Sequence, residues 1–135
     1  MSDASDQTVS LTGIGQVSLE TRDIEGSVAF FRDTLGLAHL YTFPHPTGSM
    51  AFFDLDGVRL FISSHDDRPL EKSSVLYFNV ADIEATYATL TARGVPFEGA
   101  PHLVHRHESG VEEWMAFFRD PDANLLALMS QVTPG

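Results

Sequence analysis

The chain contains no cysteine and few basic residues. The absence of cysteine among 135 residues excludes a disulfide framework, thiolate zinc sites and thiol catalysis. It fits a reducing compartment, so a cytoplasmic location is expected. Lys and Arg total 8 against 19 Asp and Glu, a formal charge of −11. A surface of that sign repels phosphate backbones and anionic headgroups, so neither nucleic acid nor a membrane is expected as a partner. Its field favours cationic ligands. No apolar run approaches the roughly 18 residues that a membrane span needs. No Ser-His-Asp order, phosphate-cradling glycine loop or nucleotide motif is visible. The polar opening 1–10 lacks a basic, apolar signal pattern and is expected to be a short disordered lead.

What the chain does have is one phrase used twice. Met50-Ala51-Phe52-Phe53 leads into a turn at Asp56-Gly57 and a second apolar run ending at Ser63. Met115-Ala116-Phe117-Phe118 leads into Asp120-Pro121-Asp122-Ala123-Asn124 and a second run ending at Ser130. Each is a β-hairpin by composition: two strands rich in Phe, Leu and Ile around a polar turn. The stretches before them also match. Residues 14–21 alternate as a half-buried strand, and Asp23 and Glu25 open a helix with Ile24, Val28, Phe31 and Leu35 on one stripe and Gly36 as its stop. Residues 37–43 read as a strand and 44–48, with two prolines, as a loop. A polar stretch, 65–73, is expected as a linker. Residues 75–80 then repeat the first strand. Asp82, Glu84 and Gly94 repeat the helix signals, and 95–97 and 101–107 read as extended. An internal repeat of this length means two supersecondary units packed together.

The residues Gly15-Gln16-Val17-Ser18-Leu19 with Asp23, Phe30-Phe31-Arg32-Asp33-Thr34-Leu35-Gly36-Leu37, and Phe118-Arg119-Asp120-Pro121-Asp122-Ala123-Asn124-Leu125 carry a family resemblance. The chain resembles the vicinal oxygen chelate superfamily: glyoxalase I, extradiol dioxygenases, methylmalonyl-CoA epimerase and the fosfomycin and bleomycin resistance proteins. The resemblance implies an α+β fold of two βαβββ modules in tandem, their sheets curved around a shared cleft. It gives a single domain over 11–131, divided into a module 11–64, the linker 65–73 and a module 74–131. It also implies a homodimer. Fold alone does not choose the chemistry.

In the metal-dependent members, four side chains project into the cleft from the first and last strands of the modules. Matched residue by residue, those positions hold Gln16, Phe61, Val75 and Ala127. Only Gln16 carries a donor atom, so no metal in the usual place and no cofactor are expected. Strand alternation supplies the other cleft candidates: Ser18, Tyr77, Asn79 and Met129, with Arg59, Leu125 and Trp114 nearby. A mostly apolar pocket with a few polar groups suits an organic ligand. The segment 101–108 holds His102, His105 and His107. As a strand it places His105 and His107 on one face and His102 with Arg106 on the other. That pair serves as ligand contacts, as a general acid/base pair, or as two metal ligands with Glu113 a third; a solvated hairpin tip is the plain alternative. Two functions follow. One is a metal-independent binder of a small organic ligand, as in the drug-sequestering members. The alternative is an enzyme (a lyase, isomerase, hydrolase or dioxygenase-like) using His105 and His107, with Gln16 or Tyr77, or a non-standard metal site.

Overall fold

Alternation in the first strand settles which side of the sheet is dry. In a computed structural model that describes residues 13–133, β1 (Gln16–Thr21) buries Leu19 and Thr21 and exposes Gln16 and Ser18. The expected lead 1–10 lies outside the described residues. Asp23 stands at the N-cap of α1 (Ile24–Ala29) in extended conformation, and its carbonyl accepts Ser27 N–H at 2.9 Å. Its side chain makes no cap bond. The helix continues as a π-helical turn, Phe30–Thr34, and ends at Gly36, whose φ of 79° is the left-handed stop that glycine adopts without strain.

β2 (Ala38–His45) corrects the expected loop at 44–48, because it runs through Pro44 and His45. Pro44 fits there because β2 is the outer edge of its sheet, where a missing N–H interrupts no interior ladder. Pro46 and Thr47 alone turn the chain into β3 (Gly48–Leu55), and Asp56-Gly57 turns it into β4 (Val58–Ser64). Both residues of that second turn have positive φ, 51° and 91°. This is the two-residue hairpin turn whose twist matches its strands. Residues 65–75 contain no helix or strand.

The second module repeats the order. β5 is Leu76–Asn79 and α2 is Ile83–Ala92, with Asp82 Oδ1 accepting Ala85 N–H at 3.1 Å. Phe97 makes a single bridge to Phe118. β6 (His102–Arg106), β7 (Glu112–Arg119) and β8 (Leu125–Val132) complete it. The two sheets have matching orders, β1-β4-β3-β2 and β5-β8-β7-β6, with the first strand of each module parallel to the last. The repeat extends into the core. Ala51, Phe53 and Leu60 are fully buried in one module, and Ala116, Phe118 and Leu126 in the other. Both helices cover the same side of the sheets: Leu35 lines a crevice with Ala85, Thr89 and Leu90, and Arg93 Nη1 reaches Thr34 O at 2.8 Å. The opposite side is open.

The two modules are clasped by the Asp-Pro-Asp-x-Asn turn. Buried Asp120 shapes it, its Oδ1 accepting the N–H groups of Asp122 and Asn124 at 2.9 and 2.8 Å. Burial raises the Asp120 carboxyl above its ordinary value, against those bonds. The shaped turn then reaches the other module. Asp122 Oδ2 accepts the Thr21 hydroxyl at 2.5 Å and its Oδ1 accepts Arg22 N–H at 2.8 Å. Asn124 Nδ2 donates to Glu20 O at 3.1 Å. Removing a charged acceptor strands its donors. Asp122→Ala is therefore expected to cost about 1–3 kcal/mol in urea unfolding, with far-UV circular dichroism unchanged. A loss near zero would show that the clasp does not bind the modules together.

Candidate functional site

The open side is built by the residues that alternate with the core. Across the first sheet, register aligns Ser18 with Phe61 and Phe61 with Phe52, and places Tyr41 against Phe52. A ladder of side chains on one face follows from that pairing. Phe61 and Phe52 stack with centroids 5.0 Å apart and planes 17° apart, and Phe52 stacks on Phe43 at 5.7 Å and 18°. Tyr41 leans on both Phe43 and Phe52, at 5.8 and 5.0 Å. Arg59 lies over the Phe52 ring at 5.5 Å and donates from Nη1 to the Tyr41 hydroxyl at 3.1 Å. The result is an aromatic plate, with Tyr41 and Phe43 substantially exposed and a guanidinium at one margin.

The far end of this face is polar. Glu20, on the same side of β1 as Gln16 and Ser18, accepts Arg68 Nη1 and Nη2 at 2.9 and 2.5 Å and Glu71 N–H at 2.8 Å. The Arg68 hydrogen bonds hold its carboxyl below the usual carboxylate range. His65 joins from the side, Nε2 on the Ser63 hydroxyl at 3.0 Å and 3.7 Å from Glu20. The segment after β4 is thus pinned across the end of β1.

The second sheet carries a different set. Tyr77 and Ala127 are register partners, as are Ala127 and Phe117. Tyr77 meets Phe117 edge-on at 6.0 Å, and His102 stacks on Phe117 at 6.2 Å. Asn79 pairs with Met129, and Met129 with Met115. A β-bulge between Leu103 and His105 changes the expected faces of the histidine arm. His102 pairs with Met115 and His105 with Glu113, so both lie on the open side; one extra residue reverses the alternation. His105 and His107 approach to 4.6 Å, and His107 Nε2 meets Glu113 Oε2 at 3.1 Å. That contact, with Gln131 Nε2 at 2.8 Å, holds Glu113 below its ordinary value.

The structure therefore brings Gln16, Ser18 and Phe61 together on one arm, and Tyr77, Asn79, Ala127, Met129, His105 and His107 on the other. Trp114 stands apart. It packs on the helix side, its Nε1 donating to Glu112 Oε1 at 3.0 Å. Tyr41, Phe43, Phe52, Phe117 and His102 were not singled out as aromatic cleft residues. The period-two spacing of Tyr41 and Phe43 was the available signal; Phe52 was hidden because its neighbour Phe53 is equally apolar.

The four positions that the family resemblance assigns to metal ligands do not carry a donor set that fits a metal. Phe61 is stacked, Ala127 is wholly buried, Val75 is apolar, and Gln16 alone offers an oxygen. One amide cannot complete a divalent ion's coordination shell. Among the described residues, no three His, Asp or Glu side chains are grouped to hold a metal ion elsewhere, the histidine arm and Glu113 included.

A model of the Glyoxalase/Bleomycin resistance protein/Dioxygenase superfamily matches residues 13–128. The chain belongs to that superfamily. It is 28% identical over 129 residues to the uncharacterized protein YraH of Bacillus subtilis (strain 168), covering 84% of this chain and 94% of that one. Its fold is similar to a glyoxylase/bleomycin resistance protein/dioxygenase domain from Frankia sp. EAN1pec, with a TM-score of 0.75 at 23% identity, covering 91% and 100% of the two chains. It is also similar to TnmS3, an antibiotic binding protein from Streptomyces sp. CB03234, with a TM-score of 0.74 at 23% identity over 93% and 100%.

The Glu20–Arg68 pair makes a pH-dependent prediction. A carboxyl whose folded pKa is depressed stabilises the fold above its unfolded value, about 4.3 for Glu, and loses that contribution as pH falls through the folded value. Both partners keep some solvent, so Arg68→Met is expected to cost about 1 kcal/mol at pH 7. Melts of both proteins should converge as pH falls below the ordinary Glu value. A constant gap down to acid pH would mean that Arg68 acts through packing instead.

Proposed function

We propose that the protein binds a small organic ligand with a planar aromatic ring on the open face, without a metal, in a cytoplasmic setting. One observation carries this reading: Phe61, where metal-holding relatives place a ligand, is the end of the stacked plate Phe61–Phe52–Phe43. A flat hydrophobic array recognises a flat hydrophobic partner, because stacked rings gain contact beyond simple area burial. Arg59 at one margin gives such a ligand a polar group to address. Tyr77, Asn79 and Met129 supply the second wall. The similar fold of TnmS3, described as an antibiotic binding protein, supports the class of function at the level of architecture. The reading includes a homodimer, since Leu40 on β2 and Leu103 and Val104 on β6 leave apolar outer edges that a second copy would cover.

A melting screen against planar aromatic compounds, charged and neutral, tests the binding. A ligand at 100 times its Kd stabilises by about 2.7 kcal/mol. Phe61→Ala is expected to weaken a hit about tenfold, equivalent to about 1.4 kcal/mol, and sedimentation should give twice the chain mass. If no flat aromatic shifts the melt, the reading fails.

A second reading is favoured by the His107–Glu113 contact beside His105, a histidine–carboxylate pair suited to proton transfer. It makes the protein an enzyme on the same ligand. Joint substitution of His105 and His107 by Ala would abolish turnover while leaving Phe61-dependent binding in place. Unchanged turnover removes the pair from the chemistry.

A further inference from the structure

The duplicated halves treat one corner differently. Ser64 and Ser130 occupy matching places near the ends of β4 and β8. In the first module Ser64 Oγ accepts Ser49 N–H at 2.9 Å. Gly48 lies so close that a Cβ would stand 1.9 Å from the Ser64 carbonyl oxygen. That corner is packed shut. In the second module Trp114 takes the place of Ser49 opposite the serine. There the corner is a cavity of about 420 Å³, lined by Asp82, Ile83, Glu84, Glu112, Trp114 and Ser130. Ser130 is only 4% exposed, and its hydroxyl borders this cavity without a hydrogen-bond partner among the described residues. A hydroxyl at the wall of that space, with no partner in the fold, is free to bond a polar group placed there.

The cavity's charge says which kind. Three carboxylates line it and no basic side chain does. Arg106 faces Glu112 from outside, its Nε on Oε2 at 2.9 Å, which offsets one charge. The positive end of α2 is met by Asp82, which caps Ala85 N–H. Negative charge remains in surplus. Trp114 is fixed by its bond to Glu112 Oε1 at 3.0 Å, and an indole is the best aromatic surface for a cation. Ile83 and Val132 add apolar wall.

We propose that this cavity binds a compact organic ammonium ion, its apolar body against Trp114, Ile83 and Val132 and its charge toward Asp82, Glu84 and Glu112. Ser130 Oγ is placed to hydrogen-bond a hydroxyl or N–H on the same molecule. The site lies on the helix side of the second sheet. It is distinct from the aromatic plate and does not depend on the reading given for it.

Trp114 is the chain's single tryptophan, so its emission reports this cavity. The full-length protein is titrated with choline and, separately, with 3,3-dimethyl-1-butanol, its uncharged counterpart of the same shape. Choline is expected to give a saturable emission change, and the alcohol a response at least tenfold weaker. Glu84→Gln, on an exposed helix position, should weaken choline about tenfold with the melting temperature unchanged. Ser130→Val should weaken choline but not tetramethylammonium, which has no hydroxyl. Phe61→Ala should leave the titration unaltered. A linear, unsaturated response, equal responses to choline and the alcohol, or indifference to Glu84→Gln would each overturn the site. If a variant misfolds, the indole N–H shift of the unmodified protein in a choline NMR titration decides the same question.

Discussion

The contact between Asp122 and the Thr21–Arg22 corner governs the rest of the molecule. Two modules that each bury their own helix could sit at many angles. The clasp selects one, and it does so with charge-assisted hydrogen bonds at the seam. Asp120 stands behind it. Its carboxylate is buried against a desolvation cost, and two backbone N–H groups of the turn bond to it. The motif that identifies the family is therefore a joint before it is anything else. With the Arg93 bond to Thr34 O on the helix side, that joint fixes how the open faces of the two sheets sit together.

With the arms aligned, the chemistry depends on what fills four places. A metal site concentrates polar atoms on a point. This chain replaces that point with a surface: Phe61 continues a stack, and Ala127 makes room for Tyr77 and Phe117 above it. A plate and a point select different partners. A point of polar atoms suits a ligand that offers lone pairs, whereas a plate of the proposed kind suits one that offers ring area.

Much of this was legible in the residues. The duplicated Met-Ala-Phe-Phe phrase, the Asp-x-Glu helix starts and the Asp-Pro-Asp-x-Asn turn led to the module order, and period-two alternation found Gln16, Ser18, Tyr77 and Asn79. Three things were not legible. Pro44 reads as a breaker unless one knows that its strand is an edge, and edge position is a tertiary fact. The bulge at Val104 has no local signature, since neither glycine nor proline marks it, so His102 was assigned to the wrong side. Trp114 fits either face of a strand by size. Its side was decided by which of its neighbours, Met115 or Ala116, needed the tightest packing, and Ala116 is fully buried.

The joint also has a direction. At one end of the seam Asp122 and Asn124 are bonded to β1. At the other end the matching turn, Asp56-Gly57, is folded on itself by Asp54 and, among the described residues, sends no side-chain bond across. A space of about 420 Å³ lies there among Ile14, Leu55, Val58 and Tyr77. The seam is fastened at one end and hollow at the other. Polar bonding between the modules is thus concentrated at the Asp-Pro-Asp-x-Asn end, so a substitution in that turn strips donors from the other module, whereas one in Asp56-Gly57 acts on its own hairpin.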